Sequence, residues 1–138
     1  MKIIINSDFG GYSLSDEAVE LYAKYKGLVL YKEESDYVRW TSNYYLCPVE
    51  VWRRIIEEEN NSPIGTTNRY EKSNILYFNY LEIERNDPIL VKVVEELGAK
   101  ANGAHAQLKI VEIPDGVEYS IEDYDGSEHI AEIHRTWR

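Results

Sequence analysis

The sequence predicts an α+β fold in a single domain over residues 1–138, with a mixed or antiparallel sheet, about three helices and a C-terminal β-hairpin. Three observations support this prediction. Short β-branched runs alternate with segments whose apolar residues recur at helical spacing. No repeat, linker or change of composition divides the chain. The dipeptide Asp125-Gly126 lies between two strand-like runs, which is typical of a two-residue hairpin turn.

The first segment is predicted to be a strand, a loop and a helix. Residues 2–6 (KIIIN) are a β-branched run typical of a buried strand, and Gly10-Gly11 ends it. The helix that follows has an apolar face formed by Leu14, Ala18, Leu21, Tyr22 and Tyr25. Ser13 or Ser15 can cap the start of this helix, and Gly27 ends it.

The middle of the chain is predicted to contain two strands, a helix and a loop. The strands cover residues 28–32 and 37–41, on either side of an acidic turn. A helix begins at Pro48, and its apolar face is formed by Val51, Trp52, Ile55 and Ile56. Residues 60–74 (NNSPIGTTNRYEKSN) are polar with Pro and Gly, which predicts an exposed loop long enough to act as a mobile flap.

Two strands and a further helix are predicted before the hairpin. Residues 75–84 are aromatic and β-branched, which indicates a strand. Asp87-Pro88 is a helix start, because Asp caps and Pro takes the first turn. This helix ends at Gly98 or at Asn102-Gly103, and residues 108–113 form the next strand.

The last segment fits two structures. As a hairpin, it places Ile121 opposite Ile130 and Glu122 opposite His129, and both are favourable cross-strand pairs. The alternative is a helix capped by Ser127, whose apolar face would be formed by Ile130, Ile133, His134 and Trp137. The hairpin is favoured because the turn dipeptide lies between two strand-like runs.

The charge balance limits the classes of function. The net charge of −10 argues against binding to a nucleic-acid backbone, because such binding needs a surplus of Lys and Arg. It permits simple solubility, a basic protein partner or mimicry of nucleic acid. No apolar run is long enough to span a membrane and no signal-peptide core is present, so a cytoplasmic location is expected. The single Cys47 excludes an internal disulfide and fits a reducing compartment.

The loop between the first strand and helix is one candidate ligand site. A Gly-Gly loop before a helix leaves backbone N–H groups unpaired, and with the helix dipole these groups can bind a small anion. Ser hydroxyls can donate further bonds, and an aromatic ring can stack on a base. The candidate residues are Phe9, Gly10, Gly11, Tyr12, Ser13 and Ser15. The alternative is a tight turn followed by an ordinary helix cap.

A cationic and aromatic cluster near residue 138 is the second candidate. It contains His134, Arg135 and Trp137. Arg binds phosphate or carboxylate through two parallel bonds, and Trp stacks on flat rings. Arg85 would contribute a further cation, within one chain or across the interface of a homo-oligomer. The alternative is that Trp137 packs on the domain while the cations offset its acidic surface.

No metal site, cofactor or catalytic residue is predicted. His129 and His134 are five residues apart, whereas zinc-binding helices use His pairs four apart. On a strand, an odd separation sends the two rings to opposite faces. Cys47 has no nearby Lys or Arg that would stabilise a thiolate, so it is expected to be a small apolar residue.

Both ends of the chain carry distinctive motifs. Near the N-terminus stands GGYSLSDEA, residues 10–18. The others are Asp87-Pro88, VVEELG (93–98), IPDGVE (113–118), YDG (124–126) and HRTW (134–137). Together they resemble a family of small, largely uncharacterised proteins of bacteriophages and prophages. The resemblance covers residues 1–27 and 84–138, and the middle of the chain does not match.

The resemblance implies a phage accessory protein that acts in the cytoplasm of the host cell. Three functions are then expected. The first is a binding protein that sequesters an anionic nucleotide-like small molecule, such as a host immune signal. The second is an acidic antagonist of a host nucleic-acid-binding or defence protein. The third is a small hydrolase of a nucleotide signal, which is less expected because no catalytic group is recognised.

Overall fold

A computed structural model describes residues 1–34, 40–63, 65 and 68–133 of the chain. Helices and antiparallel strands mix in one small α+β domain, as predicted. The elements in chain order are β1 (Lys2–Asn6), α1 (Asp16–Lys26), β2 (Tyr31–Glu33), β3 (Asn43–Tyr45), α2 (Val49–Asn60), α3 (Glu71–Leu76), β4 (Tyr77–Phe78), α4 (Pro88–Leu97), β5 (Leu108–Glu112), β6 (Tyr119–Tyr124) and β7 (Ser127–Glu132). Short 3₁₀ helices follow β4 and α4. The described part therefore contains four α-helices, one more than the three expected.

The core forms on one face of an antiparallel ribbon, β1 paired with β5. The β-branched run of β1 is buried as predicted, and its Asn6 lies opposite Leu108 of β5. Helix α4 packs on β1, and α1 packs on α4. The fully buried side chains of this core include Ile4, Leu14, Val19, Leu90 and Val93. Burial of each such aliphatic side chain contributes about 1.5–3 kcal/mol to stability.

The two core helices begin where the sequence predicts. Ser15 caps α1 by accepting a hydrogen bond from the Ala18 N–H (3.1 Å), and Gly27 ends the helix with a φ of 72°. Asp87 caps α4 by accepting a bond from the Ile89 N–H (2.8 Å). These caps fix the points at which the neighbouring loops leave the core.

A second, three-stranded sheet has the order β2-β3-β4. Strands are predicted over residues 28–32 and 37–41. Only the last two residues of the first range belong to β2, and residues 37–39 lie outside the described part. Strand β3 is not predicted, because its three residues, NYY, lack an apolar alternation. Tyr44 and Tyr45 hold this strand in place by burial, with 2% and 3% of their surface exposed.

The prediction of a loop over residues 60–74 is confirmed for the described residues between 61 and 70, whereas the prediction of a strand over 75–84 is largely wrong. Helix α2 includes the first residue of this segment, and α3 covers the end of the predicted loop. Only two residues form β4, and a 3₁₀ helix follows. Residues 64, 66 and 67 lie outside the described part, so a mobile flap stays a prediction.

Long-range hydrogen bonds explain why the helix α3 forms where the end of a loop and the start of a strand are predicted. The Trp52 indole N–H of α2 donates to the carbonyl of Ser73 (2.9 Å) in α3. The Glu59 carboxylate accepts bonds from the N–H (3.0 Å) and the hydroxyl (2.6 Å) of the same buried Ser73. These contacts stabilise α3 against α2, and a local sequence pattern does not reveal them.

The C-terminal hairpin is confirmed. Strands β6 and β7 pair across Asp125-Gly126, whose φ angles of 53° and 88° are positive, as a type I′ turn requires. Ile121 lies opposite Ile130 and Glu122 opposite His129, in the predicted register. The His129 Nε2 lies 3.1 Å from a Glu122 carboxylate oxygen. A hairpin, and not a helix, therefore forms over the described part of this segment.

Candidate functional site

The double-glycine corner, Gly10-Gly11, packs against the tip of the hairpin. Its φ angles of 120° and 101° belong to a region that other residues rarely adopt. The Gly10 N–H donates to the carbonyl of Asp125 (3.3 Å). A Cβ added to Gly126 would lie 2.4 Å from the Gly11 nitrogen. Glycine is therefore required on both sides of this contact, and the Gly10 amide is occupied by the chain itself.

Asn6, the last residue of β1, joins the corner to the hairpin tip. Its side-chain N–H groups donate to the carbonyls of Asp8 (2.8 Å) and Gly126 (2.7 Å). Its side-chain oxygen accepts a bond from the Gln107 N–H (2.9 Å). Asn6 is fully buried, and a buried amide with these bonds holds its neighbours in one arrangement. The sequence indicates Asn6 only as the end of a strand.

Arg85 and Glu128 form an ion pair at the edge of β1 that β5 leaves open. The Arg85 guanidinium donates two bonds to the Glu128 carboxylate (2.8 and 2.9 Å) and one to the Ile4 carbonyl (3.1 Å). Glu128 also accepts a bond from the Asn6 N–H (2.8 Å). Burial acts to raise the pKa of Glu128, but the bonds from Arg85 and Asn6 outweigh it and hold this pKa below its ordinary value.

Tyr12 covers this ion pair. Its ring centroid lies 3.4 Å from the Arg85 guanidinium carbon, so the ring and the cation stack. The Tyr12 hydroxyl is buried and has no hydrogen-bond partner within the described residues. Burial, the largest effect, raises the pKa of Tyr12 to about 12. Tyr12 and Arg85 are therefore engaged in contacts within the chain.

The hydroxyls of Ser13 and Ser15 also bond to the chain itself. Ser13 donates to the carbonyl of Ala104 (3.0 Å), and Ser15 donates to the carbonyl of Lys100 (2.6 Å). A Ser hydroxyl has one proton, so neither of these groups has a second one to donate to a ligand.

A pocket of about 330 Å³ opens beside the double-glycine corner. One wall is aromatic and consists of Trp40, Tyr77 and Tyr80. Amide and imidazole groups of Asn79 and His105 contribute polar atoms to the lining. The volume lies within the usual range for small-molecule sites, and concave sites of this kind combine apolar walls with a few polar groups.

The side chains that line the pocket are held by their neighbours. The Tyr77 hydroxyl donates to the Asn43 side-chain oxygen (3.2 Å), and the Tyr77 ring packs edge-on against Tyr45 with centroids 5.7 Å apart. The Asn79 side-chain oxygen accepts a bond from the Leu81 N–H (3.0 Å) and so caps the 3₁₀ helix. Contacts within the chain therefore hold Tyr77 and Asn79 in position before a ligand binds.

The double-glycine corner and His105 are in close contact. A Cβ added to Gly10 would lie 2.6 Å from the His105 Cβ. His105 itself has a φ of 58°, a left-handed conformation that is uncommon for residues other than glycine. Because Gly10 has no side chain, His105 can approach it closely and line the pocket.

The structure brings two of the predicted ligand-binding residues to this pocket, Gly10 and Ser13. Phe9 is 63% exposed and does not line the pocket. The remaining described candidates, which do not line it either, are Gly11, Tyr12, Ser15 and Arg85. His134, Arg135 and Trp137 lie outside the described residues. A ligand-binding role for each of these residues stays a prediction.

Sequence reasoning did not single out the aromatic wall. Tyr77, Asn79 and Tyr80 lie within YFNY, a segment predicted only as a strand. The available signal is the composition, since twelve Tyr against two Phe indicates rings that carry polar tips. Their convergence with Trp40 and His105 depends on the tertiary fold.

A larger cleft of about 580 Å³ lies between the β1–β5 ribbon and the hairpin. Its walls are mainly aliphatic and include Ile5, Val111 and Ile130. Tyr119 is the only Tyr, Trp or Phe among its described lining residues. A flat aromatic ligand therefore finds fewer stacking partners in this cleft than in the pocket beside the corner.

Two further properties concern the described part of the chain. No group of three or more His, Cys, Asp or Glu side chains in it could hold a metal ion. None of the helices in that part combines the length and the hydrophobicity that a membrane span requires.

Comparison of the chain with protein-family models, with curated proteins and with solved structures finds no significant match. The resemblance to the phage family therefore stays an expectation from the motifs.

Proposed function

We propose that this protein binds and sequesters a nucleotide-like small molecule in the pocket beside the double-glycine corner. The observation that supports this is the grouping of Trp40, Tyr77 and Tyr80 with Asn79 and His105 around one cavity. Aromatic faces bind flat rings by stacking, and amide or imidazole groups bind polar ring edges. Nucleobases offer both features to a protein.

The biological part of the proposal comes from the family resemblance. The protein would act as a phage accessory protein in the host cytoplasm and remove a nucleotide-type immune signal from solution. We expect binding without cleavage. Chromatography of a candidate ligand after incubation with the protein checks this point, since a product peak would indicate a hydrolase instead.

Ligand-observed NMR with nucleosides, cyclic oligonucleotides and ADP-ribose derivatives tests the pocket, with Trp40→Ala as the diagnostic variant. Trp40 is 61% exposed, so its removal is expected to leave the fold intact. Loss of one stacking partner should weaken binding by about 1–3 kcal/mol.

Phe9→Ala is the matched control for this variant. Phe9 is 63% exposed and adjoins the double-glycine corner, but it does not line the pocket. Binding that weakens in Trp40→Ala and is unchanged in Phe9→Ala supports the proposed site. An equal effect of both variants, or an effect of Phe9→Ala alone, would place the ligand elsewhere.

An acidic antagonist of a basic host protein is the second candidate. The rim of the pocket exposes apolar surface, with Trp40, Tyr77 and Leu81 61%, 37% and 56% exposed on a chain of net charge −10. Exposed apolar side chains beside acidic surface suit a basic protein partner with an apolar anchor.

A pull-down from host lysate at low and high salt tests this second candidate. A basic partner that is captured by the wild-type chain, released by salt and not captured by Leu81→Asp would support it. Equal capture by both chains would argue against this surface.

A further inference from the structure

The pocket contains no lysine or arginine among its described lining residues. Among the described residues, Lys32 lies 3.4 Å from Asp16 and 3.6 Å from Glu20. Asp16 in turn accepts bonds from the N–H (2.7 Å) and the hydroxyl (2.8 Å) of Ser42, a lining residue. The Asp16 carboxylate therefore lies next to Ser42 in the wall of the pocket, and the Lys32 ammonium is already paired with Asp16 and Glu20.

Arg85, the one predicted ligand-binding cation within the described residues, is also engaged elsewhere. Its guanidinium bonds to Glu128 and to the Ile4 carbonyl. A phosphate in the pocket would have no lysine or arginine partner among the described lining residues, and burial of an unpaired charge is unfavourable.

Some hydrogen-bonding groups of the lining residues are bonded within the chain, and others have no partner there. The hydroxyls of Ser13, Thr41 and Ser42 donate to the chain itself. The side-chain oxygens of Asn43 and Asn79 accept bonds from Tyr77 and Leu81. This paired set leaves no Ser or Thr hydroxyl donor among the described lining residues, and it identifies the NH₂ group as the free end of the Asn79 amide.

Three lining residues have polar side-chain atoms without a partner in the described structure. They are the amide NH₂ of Asn79, the Tyr80 hydroxyl and the imidazole of His105. The NH₂ group donates only, and the other two groups both donate and accept. Their surplus of donors fits a ligand edge that is rich in acceptors, such as ring nitrogens and carbonyl oxygens.

We infer that the pocket is selective for an uncharged heteroaromatic ring with an acceptor-rich edge, a nucleobase or nucleoside, and that phosphate groups contribute nothing to its affinity. This inference rests on the proposed function and narrows it. It replaces the anionic ligand expected from the sequence by a neutral one.

Calorimetric titration of the full chain with nucleosides and with their 5′-monophosphates and triphosphates tests the inference. At least one nucleoside should bind as tightly as its phosphates or more tightly, and salt should change its affinity by less than about twofold. A nucleotide that binds about tenfold or more tightly than its nucleoside, with affinity lost at high salt, would overturn the inference.

Two variants test the donors. Asn79→Asp keeps an oxygen that can cap the Leu81 N–H but loses the NH₂ group, and Tyr80→Phe removes only a hydroxyl. Each should weaken nucleoside binding by about threefold to tenfold, with unfolding midpoints within error of the wild type. Lys109→Gln in the larger cleft is the control and should bind normally. Wild-type affinity in both pocket variants would refute the donor assignment.

Failure of the inference and failure of the proposed function give different results. If no nucleoside binds but another planar compound binds in ligand-observed NMR and binds more weakly to Trp40→Ala, the inference is wrong and small-molecule binding at this site stands. If no compound in the set binds, both are rejected.

Discussion

The guanidinium of Arg85 and the carboxylate of Glu128 make two parallel hydrogen bonds, 2.8 and 2.9 Å long, between a loop and the hairpin. Only 20% of the Arg85 side chain and 7% of the Glu128 side chain are exposed. Both groups also bond to the β1 backbone, at Ile4 and Asn6. This pair therefore attaches the hairpin to the core strand.

Arg85→Ala should destabilise the protein by about 3 kcal/mol, because it leaves the Glu128 carboxylate buried without its partner. Urea unfolding measures the change. Lys2→Ala is the matched control, since the Lys2–Glu95 pair is about half exposed on both sides and should contribute little to stability. Equal losses in the two variants would show that burial of the Arg85–Glu128 pair has no special effect.

The contribution of Glu128 to stability should depend on pH. Because its pKa is held below the ordinary value of 4.5, its stabilising effect is present above that pH and is lost as the pH falls through the lower folded-state pKa. The difference in unfolding free energy between wild type and Glu128→Gln should therefore be largest near neutral pH and shrink in acid. A difference that is constant with pH would contradict the assigned pKa direction.

Gly126→Ala should be more destabilising than Gly116→Ala. Both glycines have positive φ, 88° and 81°, so each substitution costs about 1–2 kcal/mol in backbone strain. Gly116 has open space around it, whereas a Cβ on Gly126 would collide with the double-glycine corner. Gly126→Ala should lose about 1 kcal/mol or more beyond its control. Equal melting temperatures of the two variants would show that the double-glycine corner accommodates the added Cβ without loss of stability.

Ser15→Ala should lower stability by about 1 kcal/mol through loss of the α1 cap and leave ligand affinity unchanged. Ser62→Ala, which removes a 3.3 Å hydrogen bond from the Ser62 hydroxyl to the Glu58 carbonyl just after the end of α2, is the control and should cost a few tenths of a kcal/mol. Thermal unfolding and ligand titration of both variants check this. Weaker ligand binding in Ser15→Ala would instead indicate that Ser15 contacts the ligand.

Local signals predict the elements whose causes are local. Ser15 and Asp87 cap their helices because their side chains reach backbone N–H groups three or fewer residues away. The turn at Asp125-Gly126 sets the register of the hairpin, so Ile121 and Ile130 pair as predicted.

The site could not be predicted in the same way, because its geometry depends on contacts between distant segments. The Gly10 N–H, expected from the sequence to be free to bind an anion, donates to the carbonyl of Asp125, a residue distant in the sequence. Trp40, Asn79 and His105 come from three separate segments and meet only in the folded chain. Neither arrangement has a periodic pattern or a short motif that would reveal it.

The pairing of β1 with β5 has a consequence for synthesis of the chain. Lys2 and its partner Glu112 are separated by 110 positions, so β1 leaves the ribosome about 6–20 s before β5 does. During this interval three consecutive isoleucines have no strand to pair with, and such a segment readily associates with other nascent chains. The β1–β5 ribbon, on which the core forms, can therefore be completed only after translation has passed residue 112.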